Sequence, residues 1–239
     1  MDEIRFFMEE SLVSVEPTAS IREAAQKMRH HSISSILIGE SGNYTGILTD
    51  IDLTRKFAAK NLDPDHNLVS TISTNPIITL DVSCSMEEAY ECMRNKNIRH
   101  LGVTEKDEMV GILSIKDFAN YYHNRFCNET GEKGEIQYFM KDSVLSIEAE
   151  ETVLVAAQKM AQHKAGCLIV SVAGKVKGVF SESALTMDVI AAGRPLDTTT
   201  LSDVLVFQLV TMDCSQTMSS AYQKMRENNI RHLSISRGK

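Results

Sequence analysis

The chain of 239 residues has no tryptophan, only four prolines and no run of eighteen consecutive apolar residues. Because a membrane-spanning helix needs about 20 apolar residues, the sequence predicts none. Acidic residues outnumber basic ones, and the formal net charge of −7 argues against a general nucleic-acid-binding surface. The N-terminal stretch MDEIRFFMEE is acidic and amphipathic, unlike a secretory signal peptide. With 43% hydrophobic residues, the composition is that of one large or two medium globular domains.

The cysteines form no C-x-x-C pair, and their number is odd. Both features suit free thiols in a reducing cytosol, and they predict a cytoplasmic protein. A small buried hydrophobic side chain is the favoured role at each position. The five are Cys84, Cys92, Cys127, Cys167 and Cys214.

Catalytic and metal-binding motifs are also lacking. The sequence contains no nucleophile elbow, P-loop, H-E-x-x-H or dinucleotide fingerprint. The seven histidines show no metal-ligand spacing; the adjacent His30 and His31 fit either a metal site or a solvated helix end, and the solvated end is favoured. The sequence therefore predicts a protein that is not an enzyme, with no metal site and no required cofactor.

Four methionines at nearly constant spacing mark an internal repeat. The intervals between them are 65, 67 and 65 residues. These marker methionines are Met28, Met93, Met160 and Met225. Eight residues before each is a hydroxyl side chain that can cap a helix: Ser20, Ser85, Thr152 and Thr217. From each cap, apolar residues follow at i, i+3, i+4 and i+7, as in Ile21, Ala24, Ala25 and Met28, which predicts four amphipathic helices with buried stripes.

Short apolar runs surround each predicted helix. Two of them flank a polar turn after the helix in three copies, which predicts a hairpin. Another run precedes each helix: LVSV (12–15), IITL (77–80), VLSI (144–147) and LVTM (209–212). The sequence thus predicts an α+β fold of four β-α-β-β-α repeats, and each small sheet needs a partner to cover one face.

The repeats alternate in kind, which indicates duplication of a pair. Repeats 1 and 3 share AAQKM, whereas repeats 2 and 4 share NIRHL. We predict repeat 1 at 1–62, repeat 2 at 63–126, a linker at 127–135, repeat 3 at 136–195 and repeat 4 at 196–239. Repeats 1 and 2 would form one pseudo-two-fold module, and repeats 3 and 4 a second.

A signature at the junction between the second hairpin strand and the next helix resembles that of the cystathionine β-synthase (CBS) domain. The pattern is Gly-hydrophobic-hydrophobic-Ser/Thr-x-x-Asp, and here it reads GILTDID from Gly46 and GILSIKD from Gly111. Each glycine follows its marker methionine by eighteen residues, and the resemblance covers nearly the whole chain. CBS domains work in pairs, called Bateman modules, that commonly bind adenosine-containing ligands such as AMP, ADP, ATP, NAD or S-adenosylmethionine.

The resemblance implies roles for the signature residues. In the family the aspartate hydrogen-bonds the ribose hydroxyls and the hydroxyl residue lies near the phosphate, which implies Asp52 and Asp117 on the ribose and Thr49 and Ser114 near the phosphate. The residues by themselves fit a second interpretation, because Thr-x-x-Asp is also the spacing of a helix capping box. Acid in the first helical turn is favourable in either case.

The family pattern also implies further contacts in the same module. Basic residues at the entry to the hairpin hold phosphates, although an ion pair for the arginine and a satisfied strand position for the histidine are alternatives. Apolar residues in the strand before the first helix, and others at the hairpin entry, would line the adenine or belong only to the core. The lysine, inside the second signature, adds positive charge or is simply solvated. The residues are Arg99, His100, Ser34, Val13, Ile33, Ile78, Ile98 and Lys116.

Repeats 3 and 4 depart from the signature. Repeat 3 keeps Ser181 but has Ala184 where the aspartate is expected, and the signature of repeat 4 would fall beyond Lys239. We therefore expect the nucleotide in the first module, and a second module that is structural or binds another ligand through Ser181, Arg231 and His232. The fourth repeat is expected to be cut short, or to take its missing strand from elsewhere.

The leading functional hypothesis is a non-catalytic sensor. An adenosine-containing ligand would bind between repeats 1 and 2 and shift an equilibrium that an effector protein or a further domain reads. The alternative is a structural scaffold without a physiological nucleotide. In both cases the modules are expected to associate into a disc, within one chain or as a homodimer, with no nucleic acid or membrane as partner.

Overall fold

A computed structural model describes residues 2–40, 42–126, 135–140, 144–204 and 209–237. The predicted linker therefore lies outside the described residues except for Glu135, as does Cys127. The other four cysteines are free thiols and partly buried. No described helix has the length and apolar character needed to cross a membrane.

The described chain is a mixed α+β structure. The strands are β1 Ser14–Val15, β2 Ser35–Glu40, β3 Asn43–Thr49, β4 Thr79–Asp81, β5 His100–Glu105, β6 Glu108–Ser114, β7 Ser146–Glu148, β8 Cys167–Val172, β9 Lys175–Ser181, β10 Thr211–Asp213 and β11 Ser234–Ser236. The helices are α1 Ile21–His31, α2 Asp50–Asp52, α3 Met86–Lys96, α4 Ile115–Phe126, α5 Val153–His163, α6 Glu182–Ala184, α7 Leu201–Val204 and α8 Met218–Glu227. Short 3-10 segments lie at Ile4–Phe6, Ala58–Lys60, Val69–Thr71 and Ile136–Tyr138, and π-helical segments at Leu53–Phe57 and Leu185–Ile190.

All four predicted helix caps are confirmed. Each hydroxyl accepts a hydrogen bond from the backbone N–H three residues later, and Ser20 and Ser85 form complete capping boxes with Glu23 and Glu88. The apolar stripes of α1 and α5 are fully buried. The stripe of α3 differs at Tyr90, which is exposed and contacts other aromatic rings at its edge.

The predicted repeat topology is confirmed in the described residues. Strand orders β1-β2-β3, β4-β5-β6 and β7-β8-β9 each combine a parallel pair with an antiparallel hairpin. Repeat 4 contributes the parallel pair β10-β11, and of the stripe on α8 only Ala221 is fully buried. The helix has only two described strands to pack on in its own repeat, which explains the partial burial.

The chain divides into two compact units. Residues 12–77 and 144–208 form the repeat-1/3 unit, and residues 1–11, 78–143 and 209–239 form the repeat-2/4 unit. In the repeat-1/3 unit, α1 packs on the π-helical segment of repeat 3, and α5 packs on the helical stretch 53–60 of repeat 1. These contacts give the two repeats one shared hydrophobic core.

Two short segments each pack on a repeat that is not the next one in the chain. The segment before repeat 1 packs on repeat 2, and the segment before repeat 2 packs on repeat 1. Residues 67–74 pack on repeat 1, where Ile47 and Thr74 exchange two backbone hydrogen bonds of 2.9 and 2.8 Å. Residues 2–9 pack on repeat 2 in the same way, with Glu9 paired to Ile112. We call these the covering segments. The predicted boundaries of the repeats and of the modules stay predictions.

Candidate functional site

The first signature forms a closed cap at the junction between β3 and α2. Thr49 is the N-cap residue, and its hydroxyl accepts from the backbone N–H of Asp52. Asp52 Oδ2 accepts in return from the Thr49 N–H at 3.0 Å and from its hydroxyl at 2.7 Å. The capping box that the sequence offered as the alternative interpretation is therefore formed here.

The second oxygen of Asp52 is also occupied. Oδ1 lies 2.8 Å from the ammonium of Lys56 and accepts from the hydroxyl of Thr74 at 3.3 Å. Thr74 belongs to the covering segment 67–74. The carboxylate is consequently buried, with 5% of Asp52 exposed, and both of its oxygens are held by the protein itself.

The second signature, at the start of α4, has a more open carboxylate. Asp117 Oδ2 accepts from the N–H and the hydroxyl of Ser114, both at 2.7 Å. Among the described residues, the carboxylate of Asp117 has no other hydrogen-bond partner. Tyr121 stands where repeat 1 has Lys56, and its hydroxyl donates instead to Asp2 at 2.8 Å.

Burial raises the pKa of Asp117 above the ordinary aspartate value. The two hydrogen bonds from Ser114 lower it, Glu9 in the covering segment 2–9 raises it, and Lys116 lowers it. Glu9 occupies the position that corresponds to Thr74 at the first junction. The hydroxyl donor of repeat 1 is thus replaced by a carboxylate in repeat 2. The negative charge of Asp117 is partly buried, and too few hydrogen bonds offset that burial.

Because the folded-state pKa of Asp117 is raised, its ionisation should destabilise the folded protein at neutral pH. The penalty begins as pH rises through the unfolded-state value of about 3.9 and is complete above the folded-state pKa. We expect Asp117→Asn to increase the free energy of unfolding at pH 7, and this gain to disappear near pH 4. Urea denaturation at both pH values checks this. The exposed turn variant Asp107→Asn is the control, and a loss of stability at pH 7 in Asp117→Asn would contradict the interpretation.

The third junction keeps the cap without the acid. Ser181 accepts from the N–H of Ala184 at 3.2 Å. Asp188 lies at the position of Lys56, and burial raises its pKa, while Arg29 and Arg194 lower it. Repeat 3 therefore has neither member of the Asp52–Lys56 ion pair, because Ala184 replaces the acid and Asp188 replaces the lysine.

The structure brings several predicted site residues together in the repeat-2/4 unit. His100 in β5 is directly opposite Ser114 in β6, and the carbonyl of Arg99 accepts from the N–H of Ile115 at 3.0 Å. Lys116 is exposed, whereas Ile78 and Ile98 are partly buried against the core. One cluster therefore contains the predicted ribose acceptor, phosphate-side hydroxyl and basic residues of repeat 2.

The corresponding residues of repeat 1 lie in the repeat-1/3 unit. The carbonyl of Ser34 accepts from the N–H of Asp50 at 3.1 Å, next to Thr49. Val13 and Ile33 are partly buried against the core. The prediction that repeats 1 and 2 share one ligand stays a prediction. Of the remaining candidates, Arg231 and His232 are half-buried just before β11, and His30 and His31 are exposed at the end of α1.

Three residues that shape the two junctions were missed by the sequence argument. Lys56 could have been found, because it lies four residues after Asp52 on the same helical face. Thr74 and Glu9 could not, because each reaches its junction from a covering segment. Within the described residues, no group of three or more His, Cys, Asp or Glu side chains is placed to hold a metal ion.

Comparisons with known proteins agree with the repeat architecture. The sequence profile of the CBS domain family matches residues 2–59, 69–124 and 134–189, more than half of the chain. The CBS domain-containing protein CBSCBSPB1 of Arabidopsis thaliana is 23% identical across 93% of this chain, which spans about half (48%) of that protein's length. YhcV of Bacillus subtilis, also a CBS domain-containing protein, is 28% identical over 54% of this chain and 90% of its own.

A solved structure shares the fold of nearly the whole chain. Protein MJ1225 of Methanocaldococcus jannaschii superposes with a TM-score of 0.82, covering 98% of this chain and 92% of its own, at 16% identity. The order of strands and helices, the junction signatures and the profile matches all lead to one assignment. The chain belongs to the CBS domain family.

Proposed function

We propose that the protein is a non-catalytic regulatory module that binds an adenosine-containing ligand at the repeat 1 and repeat 2 junctions. The chain belongs to the CBS domain family, whose paired domains commonly bind adenosine-containing ligands. AMP, ADP, ATP and S-adenosylmethionine share the ribose and adenine that such a site would recognise. The observation that carries the proposal is the carboxylate of Asp117, half-buried at the start of α4, whose hydrogen bonds within the described part of the chain are made by Oδ2 alone.

The chemistry of this junction fits a ribose. A carboxylate accepts hydrogen bonds from both hydroxyls of a cis-diol, and hydrogen bonds to a charged group are the stronger kind. The N–H groups at the start of the twelve-residue helix α4 favour an anion such as a phosphate. His100 and Arg99, at the neighbouring strand entry, would supply donors to such an anion. A ligand there would therefore relieve the incomplete compensation of Asp117.

Isothermal titration with AMP, ATP and S-adenosylmethionine tests the proposal. Asp117→Asn is expected to weaken binding at least about tenfold, because a hydrogen bond to a charged acceptor is worth roughly 1.5–3 kcal/mol. The exposed Asp107→Asn variant should bind as the wild type does. The proposal fails if no ligand gives heat with the wild type, or if Asp117→Asn binds with unchanged affinity.

Ligand binding would act by favouring one of two conformational states, which an effector protein or a further domain reads. A ligand shifts such an equilibrium only by the difference between its affinities for the two states. The output partner is therefore expected to change its affinity for the chain when ligand is added. Pull-down of a candidate effector with and without AMP measures that coupling directly.

A structural scaffold is the second candidate function, and the first junction favours it. Asp52 is saturated by Thr49, Lys56 and Thr74, so that repeat 1 is complete without a ligand. A scaffold would assemble modules within one chain or as a homodimer and carry no nucleotide. Native mass spectrometry of freshly purified protein distinguishes the two functions, since a co-purified mass of an adenosine compound supports the sensor.

A further inference from the structure

We propose that Lys56 gates the repeat 1 junction, so that ligand reaches Asp52 only when the lysine leaves it, and the repeat 2 junction at Asp117 is occupied first. The inference rests on the proposed function, because it states which of the two junctions accepts the adenosine ligand. It assigns Lys56 as a specificity-determining residue.

The geometry around the Lys56 ammonium carries the inference. Nζ lies 2.8 Å from Asp52 Oδ1 and donates to the carbonyl of Ile72 at 3.0 Å and to the hydroxyl of Thr74 at 3.1 Å. The ammonium thus makes two hydrogen bonds to the covering segment and one ion pair with the junction. The three acceptors belong to the junction and to the covering segment 67–74, so the lysine joins one to the other.

Lys56 is also the group around Asp52 that can move. Thr74 is fixed by the two backbone hydrogen bonds that its peptide makes with Ile47. Thr49 is fixed as the cap of the helix. The Lys56 side chain is 43% exposed and flexible, whereas the Asp52 side chain is only 7% exposed. An incoming ribose hydroxyl therefore gains Asp52 Oδ1 by displacing the lysine.

Repeats 2 and 3 have no lysine at this position. At the position of Lys56, repeat 2 has Tyr121, whose hydroxyl donates to Asp2 and is contacted by Arg125. Repeat 3 has Asp188 at that position, together with Ala184 in place of the acid. Among repeats 1 to 3 the lysine therefore occurs only in repeat 1, where it covers Asp52 together with Thr74.

The gate couples ligand binding to the covering segment. A ligand that displaces Lys56 from Asp52 breaks the ion pair through which the ammonium joins the junction to residues 72–74. The contact of Lys56 with Asp52 and the docking of the covering segment 67–74 thus stabilise each other. By linkage, a ligand that binds Asp52 weakens both. Because of this linkage, removing Lys56 should loosen the covering segment even without a nucleotide, and amide exchange can detect that.

The first measurement is amide hydrogen exchange of the ligand-free protein. In Lys56→Met, the amides of Ile47 and Thr74 should exchange at least about threefold faster than in the wild type. Lys60→Met, an exposed position on the same helical stretch, is the matched control and should leave both amides unchanged. Lys56→Gln keeps a donor next to the buried carboxylate, and it replaces Lys56→Met if that variant does not fold. Unchanged exchange in the folded variant overturns the gate.

The second measurement is titration with AMP in the Asp117→Asn background, where only the repeat 1 junction keeps its acid. Adding Lys56→Met should tighten AMP binding about tenfold, and adding Asp52→Asn to that protein should abolish the gain. Equal affinity with and without Lys56 overturns the gate. If AMP gives no heat with any protein, wild type included, the proposed function fails, while the exchange experiment still decides whether Lys56 holds the segment.

Discussion

Phe57→Ala is expected to lower the free energy of unfolding by about 3–5 kcal/mol, the usual cost of truncating a fully buried phenylalanine. Phe57 has no exposed surface and ends the π-helical segment Leu53–Phe57. That segment packs against α5 of repeat 3. The lost side chain therefore leaves a cavity in the core that repeats 1 and 3 share, and both repeats should lose stability together.

Urea denaturation measures the total effect, and hydrogen exchange of α5 measures its transmission to repeat 3. Phe6→Ala is the control, because Phe6 is 73% exposed and should change the free energy of unfolding by no more than about 0.5 kcal/mol. Faster exchange confined to repeat 1, with α5 unaffected, would show that the two repeats do not share a core in solution.

The repeat architecture was predictable because its signals are local. A hydroxyl cap, an apolar stripe and a strand on either side of the helix all lie within about 30 residues, a span in which periodicity can be recognised directly. Ser20 and Ser85 were predicted as caps on that basis, and the structure confirms both with complete capping boxes. The same periodicity predicted that Tyr90 is buried, but the structure shows it exposed. The buried stripe of α3 contains only Met86, Ala89 and Met93.

Apart from Lys56, the difference between the two signature junctions could not be predicted, because it depends on contacts between residues far apart in sequence. Thr74 lies 22 residues after Asp52, and Glu9 lies more than 100 residues before Asp117. Neither belongs to a periodic pattern that ties it to its junction. The sequence therefore predicted the same role for both aspartates. In the structure, Asp52 is held by Lys56 and Thr74, whereas Asp117 lies near Glu9.

The covering segments also explain why the signature begins with glycine. A Cβ on Gly46 would lie 3.1 Å from the carbonyl oxygen of Thr74 and 3.4 Å from the hydroxyl of Ser73. A Cβ on Gly111 would lie 3.2 Å from the carbonyl oxygen of Glu9. In both repeats the glycine allows the covering segment to approach the second hairpin strand. The signature thus encodes docking of that segment as well as a cap.

Gly46→Val is therefore expected to lower the free energy of unfolding by roughly 2–4 kcal/mol, from overpacking and loss of the two hydrogen bonds between Ile47 and Thr74. The valine side chain would push the covering segment outward and carry Thr74 away from Asp52. Urea denaturation gives the total, and hydrogen exchange of the Thr74 amide gives the local part. Thr45→Val, at the exposed neighbouring position of the same strand, is the control and should cost no more than about 0.5 kcal/mol. Equal losses in both variants would mean that β3, rather than docking of the covering segment, sets the cost, and the explanation of the signature glycine would fail.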